Sequence, residues 1–458
     1  MTPPRLNRFL ARPAIARFLA NGVVAADRGK IIRGTLHSFL IQGFSVLLVF
    51  LSGLWMVRSS DTASYGLYVH IFNWVSILSV IVIGGRDDLV LAQLPRYIAG
   101  GQLFKVERLI RTANGFIVVA AIGVSTLFLL TISIIPIKTL SEHRSLFLLA
   151  STAIYFSACL ALNQMILQAL NHIRLSQLVE KIGRPLLLIG YIGLFRLTRQ
   201  LSTLDSSRLV LAATIVTGCC CAIVLYIVYK KVRPYKTPAP LQLPAEKLSG
   251  KALYFFFISL LNLLSTKITM LILPLFAPES SLAIFNISYR FADLLIFPFF
   301  LMHTVLPQLF ARHTTTGTEY TQSLFSESNK LMILLSIPLL LLNIFAGKFL
   351  LHWFGQDFQT GYTALLYISG AQFLFSFFGP ANTILMMQDR EKHSAVCLLV
   401  YVLVLVLASR WLIPIAGITG GAIAIFIGSL VYNLLLAIVT YRLCGIRSPF
   451  FAFLIRPR

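Results

Sequence analysis

Three ionisable residues stand inside apolar runs of the second half of the chain. Lys267 lies in FFFISLLNLLSTKITMLILPLF, and Arg290 and Asp293 lie in FNISYRFADLLIFPFF. A charge at such depth in hydrocarbon costs about 3 kcal/mol on insertion scales, so these groups face a cavity or one another. Lys267 has two readings: a cavity cation that attracts an anionic headgroup, or a structural counter-ion to Asp293. On a helix it shares a face with Leu263, Leu264 and Leu271, while Asn262 and Ser265 add modest polarity. Arg290 and Asp293 are three apart, so an ion pair can lower the cost of both charges. Arg290 then either binds substrate with Asp293 as its orienter, or forms a structural pair with it. Asp293 is also a candidate for coupling to a cation or proton. His303, further along the same run, reads as a polar helix-end residue.

The first half offers a different set. VIVIGGRDDLVLAQLPRYIAG places Arg86, Asp87 and Asp88 at the end of a second apolar run, as gate residues or as a helix-terminal charge network. Asn73, Asn163 and Gln164 are polar groups within apolar runs, able to bind substrate in a cavity or to bridge helices. Prolines 136, 274, 298, 307, 380 and 414 lie in or beside such runs, and bends at Pro274 and Pro298 would shape a moving cavity. Six cysteines, three of them consecutive at 219–221, have neither metal-ligand spacing nor a disulfide framework. They read as packing residues, and no metal site is expected.

These residues need a membrane-spanning scaffold. Of 458 residues, 57% are hydrophobic and 12% are charged, where a soluble domain carries about a quarter charged. Twelve spanning segments are predicted at 35–57, 67–84, 113–136, 146–170, 178–197, 208–229, 252–276, 282–307, 331–346, 362–387, 394–413 and 417–441. Most reach the roughly 20 residues needed to cross the hydrocarbon. The ninth is short and extends to Phe354 if its flank is counted. The expected class is an all-α polytopic membrane protein with about twelve transmembrane helices.

A net charge of +23 invites a nucleic-acid reading, but its placement excludes one. With twelve spans, 29 of the 39 Lys and Arg residues fall on the face that holds both termini, and eight fall opposite. Lys267 and Arg290 complete the total. The positive-inside rule therefore predicts cytoplasmic termini. The stretch RLNRFLARPAIARFLANG near the start has no continuous apolar core, so no cleavable signal is read there. It is either an interfacial amphipathic helix interrupted at Pro13 or a basic orienting tail.

The Pro-rich stretch 230–251 divides the spans six and six and has the composition of a linker. The expected organisation is a basic N-terminal segment 1–34, a six-helix lobe 35–229, the cytoplasmic linker 230–251, a second six-helix lobe 252–441 and a basic tail 442–458. LYVHIFNWVSIL echoes IFNISYRFADLL at an offset near 217, and NQMILQALNHIRLSQ echoes NTILMMQDREKHSA at a similar one. Parallel repeats of this kind are one construction of alternating-access transporters. There is no GxxxxGK[ST] phosphate loop, hence no internal ATP motor. The loops opposite the termini are short, which argues against a membrane polymerase or ligase and against enzymatic function.

Four stretches carry a family resemblance: residues 59–97, 163–189, 354–395 and the glycine-rich GITGGAIAIFIGSLVYN at 417–433. They resemble the polysaccharide-biosynthesis (Wzx-like) flippases of the multidrug/oligosaccharidyl-lipid/polysaccharide exporter superfamily. The resemblance implies two six-helix lobes around a central cavity in the bacterial cytoplasmic (inner) membrane. It implies a cargo of undecaprenyl-diphosphate-linked oligosaccharide destined for lipopolysaccharide O-antigen, capsule or exopolysaccharide. Lys267 and Arg290 then meet the diphosphate or acidic sugars. It also implies membrane lipids, a polysaccharide polymerase and a chain-length regulator as partners, no bound cofactor, and H+ or Na+ as open choices of coupling ion. Ion-coupled multidrug efflux is the alternative within the superfamily, and it favours acidic cavity residues over cations.

Overall fold

Backbone amides inside a bilayer have no water to bond, so each spanning segment must satisfy its own. This chain does so with helices, and the described residues contain no strand. The computed structural model describes residues 28–134, 143–198, 204–233, 249–299, 318–388 and 390–448. In the first half, α1 is Arg28–Ser59, α2 Thr62–Ile83, α3 Arg86–Ala99, α4 Leu103–Ile134 and α5 Arg144–Ala169. Then follow α6 (Ile173–Leu178), a π turn at Val179–Gly183, α7 (Arg184–Thr198) and α8 (Ser206–Val232). The second half holds α9 (Ser249–Ile272), α10 (Glu279–Ala292), α11 (Thr318–His352), α12 (Tyr362–Phe378), α13 (Ala381–Met387) and α14 (Glu391–Cys444).

Where they are described, the predicted segments lie largely on helix. Eight helices among the described residues are long and apolar enough to cross a membrane. One of them, α14, is a hairpin of two spans. Gly417 leaves helical geometry at φ 54°, Gly420 packs on the Leu412 carbonyl, and Tyr401 stacks on Tyr432 with ring centroids 5.1 Å apart. Large apolar side chains face outward in number, including Leu197, Phe345 and Trp411. Lipid is the medium that such a surface fits, and the protein is a multi-pass membrane protein.

The structure corrects several boundaries. The short ninth segment is part of the 35-residue helix α11, whose first turns are polar. The tenth segment breaks at Gly379 and Pro380 into α12 and α13. Arg86, Asp87 and Asp88 do not end the second span; they form the first turn of α3, a separate 14-residue helix. The chain turns between the two helices at Gly84 and Gly85, both with positive φ. The N-terminal stretch before Arg28, linker residues 234–248, His303, Pro136, Pro307 and the tail beyond Ser448 lie outside the described residues.

Two apolar cores organise the chain. One gathers residues of 67–232 from α2, α3, α4, α5, α7 and α8. The other gathers the second half and also takes Met56, Val57, Tyr65, Val69, Ile192, Leu204 and Leu209 from the first. In a membrane no hydrophobic drive joins helices, so close backbone approach at small residues matters more. Gly66 of α2 lies directly on the Glu279 carbonyl of α10, and Gly85 on the Ala252 carbonyl of α9.

A methyl group at Gly66 must push α2 from α10. Gly66→Ala is expected to lower the Tm of the detergent-purified protein by several degrees. Gly115→Ala is expected to keep or slightly raise Tm, since a Cβ there meets nothing within 4 Å and alanine favours the helix. Equal melting of both variants would contradict this packing.

Candidate functional site

The charged cluster is built by two consecutive spans that run in opposite directions. α9 carries Lys267 and ends in a 3-10 turn, Leu273–Leu275, at Pro274. α10 carries Arg290 and gives way to a 3-10 turn at Asp293–Ile296, just before Pro298. Proline removes the hydrogen bond to the carbonyl four residues earlier, here that of Leu294, which accounts for the tightened turn. Lys267, Arg290 and Asp293 lie within one another's electrostatic reach.

The expected Arg290–Asp293 ion pair is not formed, nor is one between Lys267 and Asp293. An ion pair of the described residues lies elsewhere, on the surface, between Lys330 and Glu327. Asp293 instead accepts a hydrogen bond at Oδ1 from Gln372 Nε2 of α12, at 3.0 Å. Its side chain remains exposed although it sits within a spanning helix. At that depth an accessible carboxylate is expected to meet water or other polar groups rather than lipid. Neither Lys267 nor Arg290 has a hydrogen-bond or ion-pair partner among the described residues. Asn262 and Ser265 return their side chains to their own helix, at Ile258 and Asn262 carbonyls, and do not solvate Lys267. The group therefore carries a net positive charge.

Arg290 crosses the junction between the halves. Its guanidinium packs on Gly53 of α1 and lies in the electrostatic reach of Tyr65 and Tyr68 of α2. Tyr65 donates from its hydroxyl to Asn286 Oδ1 of α10 at 3.2 Å. Arg184 of α7 also reaches Tyr68 electrostatically. Nothing in the sequence singles out Arg184, Gln372 or Gly53. For Gln372 the available signal was an amide inside an apolar run; for Gly53 there was none, because its role is to be absent.

The other polar candidates are placed elsewhere. Asn163 is fully buried and donates to Asn114 Oδ1 at 2.9 Å and to the Cys159 carbonyl at 2.8 Å, which ties α5 to α4. Gln164 and Asn73 are buried, and neither is linked to the charged cluster by a hydrogen bond among the described residues. All three are buried in this conformation, each with one buried side-chain polar atom that has no hydrogen-bond partner among the described residues.

The gate candidates separate by role. Asp88 Oδ2 accepts from Ser259 Oγ of α9 at 2.9 Å, a bridge between the halves on the face where the described chain begins and ends. Arg86 turns inward to the first half and lies 3.1 Å from the centre of the Phe116 ring. Asp87 keeps one buried carboxylate oxygen without a partner. On the opposite face the halves meet at several points. Arg58 Nε donates to the Trp353 carbonyl at 2.9 Å, and Thr62 Oγ1 donates to Asp357 Oδ2 at 3.3 Å. The Phe50 ring packs edge-on against Phe291 and Phe354 at 4.9 and 5.2 Å. These contacts seal that face between the halves.

No group of three or more His, Cys, Asp or Glu side chains arranged for a metal occurs among the described residues. The consecutive cysteines lie on α8, where Cys220 and Cys221 are buried among apolar neighbours.

α3 is not one of the spanning helices, and there burial, with the Asp88 charge second, pushes the Asp87 carboxyl up to about 6. A carboxyl raised in the folded state binds an extra proton between its unfolded value near 4 and 6, so stability falls as pH rises through that window. Asp87→Asn is expected to raise Tm above pH 6 and to give no gain below pH 4. Melting curves across pH 4–8 check this, and a gain independent of pH would contradict it.

No protein-family model matches the chain, and no curated protein matches it. Solved structures do. An inward-facing multidrug resistance MATE family transporter of the MOP superfamily superposes with a TM-score of 0.69 at 13% identity, over 88% of this chain and 94% of that one. The lipid II flippase MurJ, in an inward closed conformation, gives 0.61 at 14% identity, over 88% and 86%. A MOP superfamily transporter from Pyrococcus furiosus, described as having a binding pocket of reversed polarity that suggests a different function, gives 0.63 at 15% identity, over 91% and 95%. At these identities the likeness concerns architecture, and it spans nearly the whole chain: this protein has the fold of the MOP superfamily transporters.

Proposed function

We propose that this chain is a flippase for an undecaprenyl-diphosphate-linked oligosaccharide, working by alternating access in the bacterial cytoplasmic membrane to supply surface polysaccharide synthesis. The observation that carries the reading is the unneutralised positive charge of Lys267 and Arg290 at membrane depth, with Asp293 engaged by Gln372. An anion is the ligand such a group favours, and a lipid diphosphate brings one to that depth. The lipid II flippase among the structures with this fold fits a lipid-linked cargo. The distribution of Lys and Arg supports cytoplasmic termini. The face sealed by Arg58, Thr62 and Phe50 is then the outward one. Asp293 is the candidate for H+ or Na+ coupling, and a polymerase and a chain-length regulator are the expected partners.

Multidrug efflux is the second reading, since multidrug transporters share the fold. An organic cation would be repelled by the cluster, because like charges in a confined site raise each other's energy.

Depletion of the protein in its own host, followed by leaflet-resolved mass analysis of lipid-linked sugars, tests the proposal. Build-up of a complete lipid-linked oligosaccharide on the cytoplasmic leaflet is expected. Unchanged lipid-linked sugars and surface polymer, with greater drug sensitivity, would favour efflux. Lys267→Ala is expected to slow transport of this cargo about tenfold, the weight of one charge-assisted contact. Lys267→Arg should retain most of the rate. Equal rates for all three proteins at equal abundance would remove Lys267 from the site.

A further inference from the structure

The guanidinium of Arg290 rests on backbone that belongs to the other half of the molecule. A Cβ at Gly53 would collide with its terminal nitrogen, and among the described residues Arg290 is the one group that this Cβ would meet within 4 Å. Around this seat stand Tyr65 and Tyr68, with ring centroids 5.9 Å apart, and Phe72, 4.9 Å from Tyr68. Tyr65 is tied to Asn286, one turn before Arg290 on α10, so the contact keeps α10 in register with α2. Tyr68 packs against the cores of both halves and is half-buried. A guanidinium offers five donors, and Arg290 spends none of them on a hydrogen bond among the described residues.

We propose that Gly53 is a positioning residue: its bare backbone seats Arg290 across the junction, so that a diphosphate bound there is held by both halves at once. The inference rests on the anionic-cargo reading. The anion meets Arg290 from the second half and the Tyr68 hydroxyl from the first, and its arrival tightens the sealed face. A side chain at 53 returns the guanidinium to its own half. Lys267 still attracts the anion, but binding no longer pulls the halves together.

The test uses the full chain in lipid nanodiscs with two probes, undecaprenyl diphosphate and inorganic pyrophosphate. Affinity is measured together with hydrogen exchange at 58–62 and 353–357, the segments that meet on the sealed face. In the unaltered protein, the lipid probe should bind and slow exchange at both segments. Gly53→Ala should bind it about tenfold more weakly and lose the slowing. Adding Arg290→Lys should restore the slowing, because the ammonium clears the new methyl group. Should Gly53→Ala fold poorly, recovered yield in that double variant supports the contact, and equal failure of both overturns it. The same dependence on Gly53 with pyrophosphate alone supports the seat and assigns it to a free diphosphate. Equal affinity and equal slowing in Gly53→Ala overturn the inference and leave the anionic-cargo reading standing. No binding of either probe by the unaltered protein overturns both.

Discussion

Two cations and one carboxylate share the depth of the membrane, and the positive excess among them constrains the rest of the structure. Each cation costs about 3 kcal/mol at a helix centre unless water, a cavity or a counter-charge meets it. The expected counter-charge is diverted. Gln372 of α12 takes the carboxylate, and the turn tightens to 3-10 only from Asp293 onward. Lys267 and Arg290 are left toward an accessible interior. A protein that retains such a group must either neutralise it with a ligand or repel everything of the same sign.

The two halves pack together around this group. They meet through single hydrogen bonds, Arg58 to Trp353, Thr62 to Asp357, Tyr65 to Asn286 and Ser259 to Asp88, and through bare backbone at Gly66 and Gly85. Each such hydrogen bond contributes about 1 kcal/mol net. An apolar core also crosses the junction: Met56, Val57, Tyr65 and Val69 pack with second-half residues, and Phe50 lies against Phe291 and Phe354. The rest of the first half has an apolar core of its own, and polar ties such as Asn163 to Asn114 and Asn343 to Ser369 join helices within each half.

Much of the fold was legible in the sequence because hydropathy is a one-dimensional property. Each predicted span lies largely on helix where it is described, and the hairpin turns at Gly417, the first residue of the twelfth predicted segment. What was missed has reasons that periodicity cannot carry. α3 contains Arg86, Asp87, Asp88 and Pro95, so it reads as a loop, yet it buries Leu89, Val90 and Leu94. The polar start of α11 hides its length. At the site, Lys267, Arg290 and Asp293 were visible through the cost of burying charge. Their partners were not, since Gln372 comes from a helix 79 residues away and Gly53 acts through a missing side chain. Asn163 illustrates the converse: a polar residue in an apolar run that ties two helices together.

The sign of the charge that crosses the membrane is the central claim, and transport by purified protein in sealed proteoliposomes measures it most directly. Lipid-linked oligosaccharide diphosphate and an organic cation such as ethidium would be offered separately, with and without proton and sodium gradients. The account predicts transfer of the diphosphate-linked glycan between leaflets and no gradient-driven movement of the cation. Gradient-driven export of the cation, with the glycan lipid left where it was placed, would contradict it.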